Sequence, residues 1–353
     1  MNNKSAVGAK HARQVHHRSA VSVNSDRPND GNSNPQKLNP QHSGIKLDTA
    51  GIATEIRRDY LHEYYVIIAP NRGKRPFDTR IEEHKLIETA NSPKLHLEKK
   101  VFDLNDEHGS WQVRVVENKF PALTPMNPQA YGMQEIVIDT PLGNRPLSSL
   151  SVNQITKVMQ VFQERIGVLK NQKAIEYVSV FHNDGYSAGA SLAHAHSQIF
   201  AIPVMPPKLT IESQTIEQYF TQKNSDPFND IIAYEQNAAE RIIWENDKFI
   251  AFCPYASQWP FEAWIMPKTP VTSFTQFSQD DLRTTAEILK KLMGRLCPHL
   301  ISFNFYLEEG ISEHHRFVLK VTGRSIIWGG FEVATGMIIN TVPPESAAKW
   351  YKA

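Results

Sequence analysis

Apolar side chains recur every three or four positions at Ile155, Met159, Phe162, Ile166 and Leu169, and again at Leu282, Ala286, Leu289, Met293 and Leu296. That period gives each stretch one apolar stripe, so both are expected to be α-helices lying on a core. Ser151 and Gln154 have the spacing of a capping box at the start of the first helix, and Ser278 stands at the start of the second. Shorter runs rich in aromatic and β-branched residues predict strands over residues 64–69, 111–116, 135–139, 177–181, 261–267, 303–307 and 317–321. Order is expected to begin near Tyr60.

The two halves follow one order. Asn118-Lys119-Phe120 is echoed by Asp247-Lys248-Phe249, and each half then supplies a strand, a striped helix and closing strands. This pattern predicts an α+β fold of two related units, residues 46–210 and 211–353, joined through largely antiparallel sheet. Residues 1–45 carry almost no large apolar side chains and are expected to form a disordered tail. His11, His16, His17 and His42 lie there without regular ligand spacing, so they read as solvated residues rather than a metal tract.

The formal net charge is +1, so no global basic field points to nucleic acid as a partner. No apolar run approaches the roughly 20 residues that span a bilayer, and the N-terminus has no apolar signal core. Cys253 and Cys297 form neither a disulfide framework nor a C-x-x-C knuckle. A cytoplasmic protein without a membrane partner is therefore expected.

Candidate chemistry concentrates between Asn183 and Gln198. The segment from Asn183 to Ser191 is a loop of small residues, whose N–H groups can approach a phosphate closely. The strand that follows places His194, His196 and Gln198 on one face and the small residues Ala195 and Ser197 on the other. Three polar groups in a row are not what a core face wants. A neutral imidazole can attack phosphorus if an acceptor fixes the proton on its other nitrogen, and a nearby backbone carbonyl would serve. Gln198 can donate to a phosphate oxygen as charge develops there, and Arg72 and Arg75 can clamp a diphosphate. Two histidines at this spacing could also bind a metal, given a third ligand from elsewhere. Arg72, Lys74 and Arg75 on their own would read as a solvated charge run.

At these residues the chain resembles the galactose-1-phosphate uridylyltransferase family of the histidine triad superfamily, and within it the shorter branch that includes ADP-glucose phosphorylases. The stretches that carry the likeness are YYVIIAPNRGKRP, VVENKFPAL, AGASLAHAHSQIFAIP, WPFEAWIMPK and GGFEVATGMIINTVPPESAAK, in that order from about Arg57 to the C-terminus. The resemblance implies two histidine-triad-like units with flanking helices. It implies a ping-pong transfer in which UDP-glucose or a similar nucleoside diphosphate sugar gives its nucleotidyl group to His196. A sugar 1-phosphate is released, and a second phosphorylated acceptor takes the nucleotide, as in galactose metabolism. By matched position, Gln198 orients the phosphate, Arg72 and Arg75 contact phosphate, and Asn118 and Phe120 line the nucleoside pocket. Asn183, Gly189 and Ser191 belong to the phosphate loop, and Glu332 binds sugar hydroxyls. A homodimer is implied, because this C-terminal segment serves the partner's site in the family.

The chain also departs from the pattern. Family members often hold a structural zinc through a C-x-x-C pair, a histidine on the third strand and the first histidine of H-x-H. Residues 77–99 contain no cysteine, and Gln134 stands in the histidine position, so His194 remains alone. No zinc and no other cofactor are expected, with His194 instead orienting His196 or its backbone. In the second half, Arg316, Val318 and Lys320 stand where short-branch members have H-x-H-x-[EQ]. His314 and His315 are expected to be loop residues, and Glu262 to be a structural or hydrogen-bonding residue. Two readings compete with the uridylyltransferase-like one: an ADP-glucose phosphorylase or adenylyltransferase, and a nucleotide-binding protein without catalysis. A dinucleotide hydrolase, as among smaller histidine-triad proteins, would need water to resolve the adduct first.

Overall fold

The computed structural model describes residues 47–49, 51–74, 98–143, 145–190 and 194–353. The tail expected to be disordered, Arg75 and Ser191 lie outside the described residues. In chain order the strands are β1 (Glu55–Arg58), β2 (Tyr65–Ile68), β3 (Lys100–Asn105), β4 (Trp111–Glu117), β5 (Met133–Ile138), β6 (Tyr177–Asp184) and β7 (His196–Ile202). They continue with β8 (Ile242–Glu245), β9 (Phe249–Phe252), β10 (Ala263–Pro267), β11 (Phe303–Glu308), β12 (Val318–Gly323) and β13 (Ile338–Asn340). The helices are α1 (Val152–Lys170), α2 (Pro207–Lys223), α3 (Pro227–Ala238), α4 (Gln279–Leu296), α5 (Gly330–Thr335) and α6 (Pro344–Lys352).

Ten strands form one antiparallel sheet in the order β3-β4-β5-β7-β6-β11-β12-β10-β9-β8. The order reads alike from both edges to the central β6–β11 pair, with β3, β4, β5, α1, β6 and β7 answered by β8, β9, β10, α4, β11 and β12. The strand registers make this correspondence residue-specific. Ile136, Gln198, Phe181, Tyr306, Lys320 and Trp264 stand opposite one another in a row across the sheet. Lys320 is thus the internal counterpart of Gln198, and Val318 that of His196. The fold is the expected mixture of two related units with largely antiparallel sheet and flanking helices.

Helices α1 and α4 cover one face of the sheet. All ten apolar positions read from their periodicity are buried. Arg165 anchors α1 to β5 by donating to both carboxylate oxygens of Glu135, at 2.9 and 2.7 Å. Half of the predicted capping box forms: the Ser151 side chain accepts from the Gln154 N–H. The Gln154 side chain does not close the box. Its Nε2 donates to the carbonyls of Gln112 and Asp139, at 2.8 and 2.9 Å, because these strand-end acceptors lie beside it.

On the other face, α2 and α3 cover the C-terminal half of the sheet through Ile216, Phe228, Ile231 and Ile232. The same face of the N-terminal half leaves Phe181, Gln198 and Phe200 only half-buried. Order starts before Tyr60: β1 pairs with β2, and β2 runs parallel to β13 in a separate three-stranded sheet. Two predicted strands begin late. Phe261 has φ +56°, so β10 starts at Ala263, and β12 starts at Val318 rather than Phe317.

Candidate functional site

The site is built at one end of β6 and β7. His196 is the first residue of β7 and stands opposite Ile138 of β5. Its ring is buried, and its Nδ1 lies 2.8 Å from the main-chain oxygen of His194. A carbonyl can only accept, so Nδ1 carries the proton and Nε2 keeps its lone pair. Burial pushes the ring's affinity for a second proton below the ordinary histidine value, which keeps it neutral near pH 7.

Each neighbour of His196 is itself held. His194 Nε2 donates to the carbonyl of Thr140 at 2.9 Å. The Asp139 N–H donates to the Ala195 carbonyl at 3.2 Å. The end of β5 therefore grips the approach to β7 on both sides of Ala195. Beneath it, on the helix side, Ser197 Oγ donates to Asp139 at 3.2 Å and lies 3.0 Å from His182 Nδ1. All three side chains are buried. Burial and the nearby His196 ring lower His182 to about 3, so this imidazole is neutral. The His182 ring also stacks on Phe305 of β11, with centroids 5.0 Å apart, which joins β6 to the other half of the sheet through side chains.

The small-residue loop follows β6. Gly185 has φ +83°, and a Cβ there would stand 2.2 Å from Ser302 Oγ, so only glycine fits. Gly189 has φ +87° and ends the single turn Tyr186–Ala188. Asn304 Nδ2 donates to Asn183 Oδ1 and to the Ala188 carbonyl, both at 2.8 Å, and so fixes the loop from β11. Burial raises Asp184 to about 6.

Gln134 links this group to the 118–122 turn. Its Oε1 accepts from the Ala122 N–H at 2.7 Å, its main-chain oxygen accepts from Asn118 at 3.1 Å, and its Nε2 reaches Gln198 Oε1 at 3.4 Å. Asn118 Oδ1 accepts from the Phe120 N–H, closing a turn that leaves the Phe120 ring exposed.

His194, His196, Gln198, Asn183 and Gly189 are thus brought together, with Asn118 and Phe120 joined to them through Gln134. Arg72 and Glu332 are placed differently. Arg72 is exposed in the turn Pro70–Lys74, which follows β2 and is held by β13 through Ala69 N–H to the Asn340 carbonyl at 2.8 Å. Among the described residues its side chain makes no hydrogen bond or ion pair. Glu332 is exposed on α5 and accepts from its own Gly329 N–H at 2.9 Å. Sequence reasoning did not single out Asn304, Thr140, Asp139 or His182. The signal at Asp139, His182 and Asn304 was polarity in or beside strands that otherwise read as core, and Thr140, just past β5, gave none.

Domain models described as the N- and C-terminal domains of galactose-1-phosphate uridyl transferase match residues 120–206 and 212–310, together just over half of the sequence. The chain belongs to the galactose-1-phosphate uridylyltransferase family. It is 28% identical over 326 residues to an ADP-glucose phosphorylase of Arabidopsis thaliana, covering 84% of this chain and 91% of the relative. It is 27% identical over 323 residues to a galactose-1-phosphate uridylyltransferase of Thermotoga maritima, covering 84% and 96%. The crystal structure of an Arabidopsis thaliana ADP-glucose phosphorylase with bound ADP-glucose superimposes with a TM-score of 0.74 at 26% identity, over 85% of this chain and 99% of that one.

The family's structural zinc does not fit the residues present. Gln134 replaces an imidazole with an amide that is already committed to Ala122 and Gln198. His194 donates its Nε2 proton to Thr140, so only its Nδ1 keeps a lone pair, and no cysteine stands in residues 77–99 to join that single donor. Glu262 is a hydrogen-bonding residue, as expected: its carboxylate accepts from the Gln258 and Trp259 N–H groups and from Trp264 Nε1.

Proposed function

We propose that this protein is a hexose-1-phosphate nucleotidyltransferase that works by ping-pong transfer through His196. The observation that carries the reading is the buried, neutral His196 ring with Nδ1 committed to the His194 carbonyl, which leaves the lone pair on Nε2. The Nε2 lone pair attacks the α-phosphorus of a nucleoside diphosphate sugar. The bond from phosphorus to the bridging oxygen breaks, and the sugar 1-phosphate leaves with that electron pair. The ring now bears positive charge, and the His194 carbonyl stabilises it through Nδ1–H. A phosphate oxygen of the acceptor then attacks phosphorus, the N–P bond breaks, and neutral His196 returns.

In this reading Gln198 donates to the phosphate, with its amide oriented by Gln134. The small side chains of the loop around Gly189 leave room for the diphosphate, the Ala188, Gly189 and Ala190 N–H groups themselves being turned to the carbonyls of Gly185 and Tyr186, and Asn118 and Phe120 border the nucleoside. Arg72, Arg75 and Ser191 assist at the phosphates, and Glu332 meets sugar hydroxyls, in a cytoplasmic homodimer that completes the site. No helix among the described residues is long and apolar enough to cross a membrane.

The donor we favour is UDP-glucose. ADP-glucose is the second reading, supported by the phosphorylase relative and by its ADP-glucose-bound structure. Intact mass after incubation with each donor, quenched at high pH because phosphoramidates are acid-labile, tests both. A UMP or AMP adduct that is absent from His196→Ala is expected and names the base. Nucleotide binding with no adduct from either donor would leave a binding protein without catalysis.

A further inference from the structure

The face of the C-terminal half that corresponds to the site face carries a buried charged group with no part in the reaction above. Glu212 of α2, Glu308 of β11 and His315 before β12 each offer a ligand atom within 4.8 Å of the others. All three are buried, His315 completely. Two carboxylates and an imidazole are a set that holds a borderline divalent cation. A second observation points the same way. Both ring nitrogens of His315, Glu212 Oε2 and the Nε2 of neighbouring His62 are buried without a hydrogen-bond partner.

The group already contains a cation. The Lys320 ammonium donates to Glu308 Oε1 and lies 3.8 Å from Glu212 Oε1. The indole of Trp264, 4.6 Å from Nζ, holds it there by a cation–π contact. A second ammonium, on Lys208, approaches the other Glu308 oxygen from the rim at 3.4 Å. Carboxylates without a cation would be costly at this depth, several kcal/mol each by the effective penalty for buried ions. A metal bound to both carboxylates would sit about 2 Å from each oxygen. It would crowd an ammonium already hydrogen-bonded to one of them, and like charges would repel it. Ammonium and metal therefore exclude one another.

We propose that Lys320 is the built-in cation of a latent divalent-metal site, and that its side chain is what keeps Glu212, Glu308 and His315 from binding metal. This inference is independent of the nucleotidyl-transfer reading, since its test reads metal and not turnover.

The test uses the full chain, dialysed against Co²⁺ and assayed by elemental analysis and by visible d–d absorption. Wild type is expected to hold no cobalt at the site. Lys320→Met keeps the unbranched side chain, shorter by its terminal ammonium, and removes the charge, and it is expected to bind one equivalent with visible bands. Adding Glu212→Gln to Lys320→Met should abolish both signals, which separates this site from the histidines of residues 1–45. Wild type binding one equivalent that Glu212→Gln removes would overturn the proposal, because metal and ammonium would then coexist. So would a folded Lys320→Met, judged by circular dichroism, that binds none. If Lys320→Met fails to fold without metal, recovery of its fold on refolding with Zn²⁺ supports the proposal, and no recovery overturns it.

Discussion

His196 is locked by the main chain of His194, at 2.8 Å, while the ring of His194 turns away to the carbonyl of Thr140. The tautomer lock therefore does not depend on the His194 side chain, which acts only by placing the loop. His194→Ala should still form a nucleotidyl adduct but turn over more slowly. A misplacement on the order of 1 Å costs up to about a hundredfold in rate, so kcat should fall by roughly ten- to a hundredfold with KM little changed. Single-turnover mass spectrometry separates the variants, with one equivalent of adduct in His194→Ala and none in His196→Ala. Absence of adduct from both would show that the imidazole of His194 is needed for the attack itself.

Gln134 joins the 118–122 turn, proposed to border the nucleoside, to Gln198, and this predicts a binding defect rather than a chemical one. Gln134→Leu deletes the acceptor of the Ala122 N–H, a hydrogen bond of 2.7 Å. One such bond is worth about 1 kcal/mol net, a factor of roughly five in affinity. KM for the nucleotide sugar should rise about fivefold with kcat nearly unchanged. A fall in kcat at constant KM would instead place Gln134 in control of the reacting phosphate through Gln198.

Much of this arrangement was legible in the sequence, and the reasons are local. The stripes of α1 and α4 face one core, so their period survives in the residue pattern. The faces of β7 follow from strict alternation, with Ser197, Ile199 and Ala201 buried and Gln198 half-buried. Helices α2 and α3 escaped because their buried positions include carboxylates. Glu212 and Glu235 are 4% and 0% exposed, and their cationic neighbours are Lys320 and Arg241. Arg316 is as fully buried, paired with Asp226 at 2.7 Å. A charge whose partner arrives through tertiary structure reads as surface in a single chain. The small sheet escaped for a related reason: β2 and β13 pair although they lie far apart in the sequence.

The buried histidines should each withdraw stability as pH drops below the ordinary histidine range. Burial lowers His182 to about 3 and His315 to about 4, and it also lowers His196. An unfolded chain takes up these protons near pH 6.5, whereas the folded chain resists them. The stabilisation is therefore full above about pH 6.5 and is lost on acidification towards pH 4. Carboxyl groups that burial raises, Asp184 to about 6 and with it Asp139, Glu212, Glu235 and Glu262, act oppositely, each gaining stability as pH falls through its folded value towards its ordinary one. From pH 7.5 to pH 5 the denaturant midpoint of the wild type should fall relative to that of His182→Gln, which cannot titrate at this position. An unchanged pH slope in that variant would mean that His182 is protonated in the folded protein.

The arginine cluster that joins β1, α3 and α6 should govern stability without touching the chemistry at His196. Arg241 Nε donates to Glu235 at 2.9 and 3.2 Å, and its Nη1 donates to Glu345 at 3.0 Å. Glu345 also accepts from Arg57 of β1 at 2.8 Å, and Glu235 from the Tyr60 hydroxyl. Three segments, β1, α3 and α6, are thereby joined around carboxylates that have little water. Removing one partner leaves a buried charge uncompensated, which costs about 3–5 kcal/mol, whereas exchanging both partners for neutral groups costs far less. Arg241→Met should be destabilised by that amount in guanidinium unfolding, and Arg241→Met with Glu235→Gln should recover most of it. Adduct formation on His196 should be unchanged in both while they remain folded. A single variant as stable as wild type would mean that solvent reaches Glu235 and shields it.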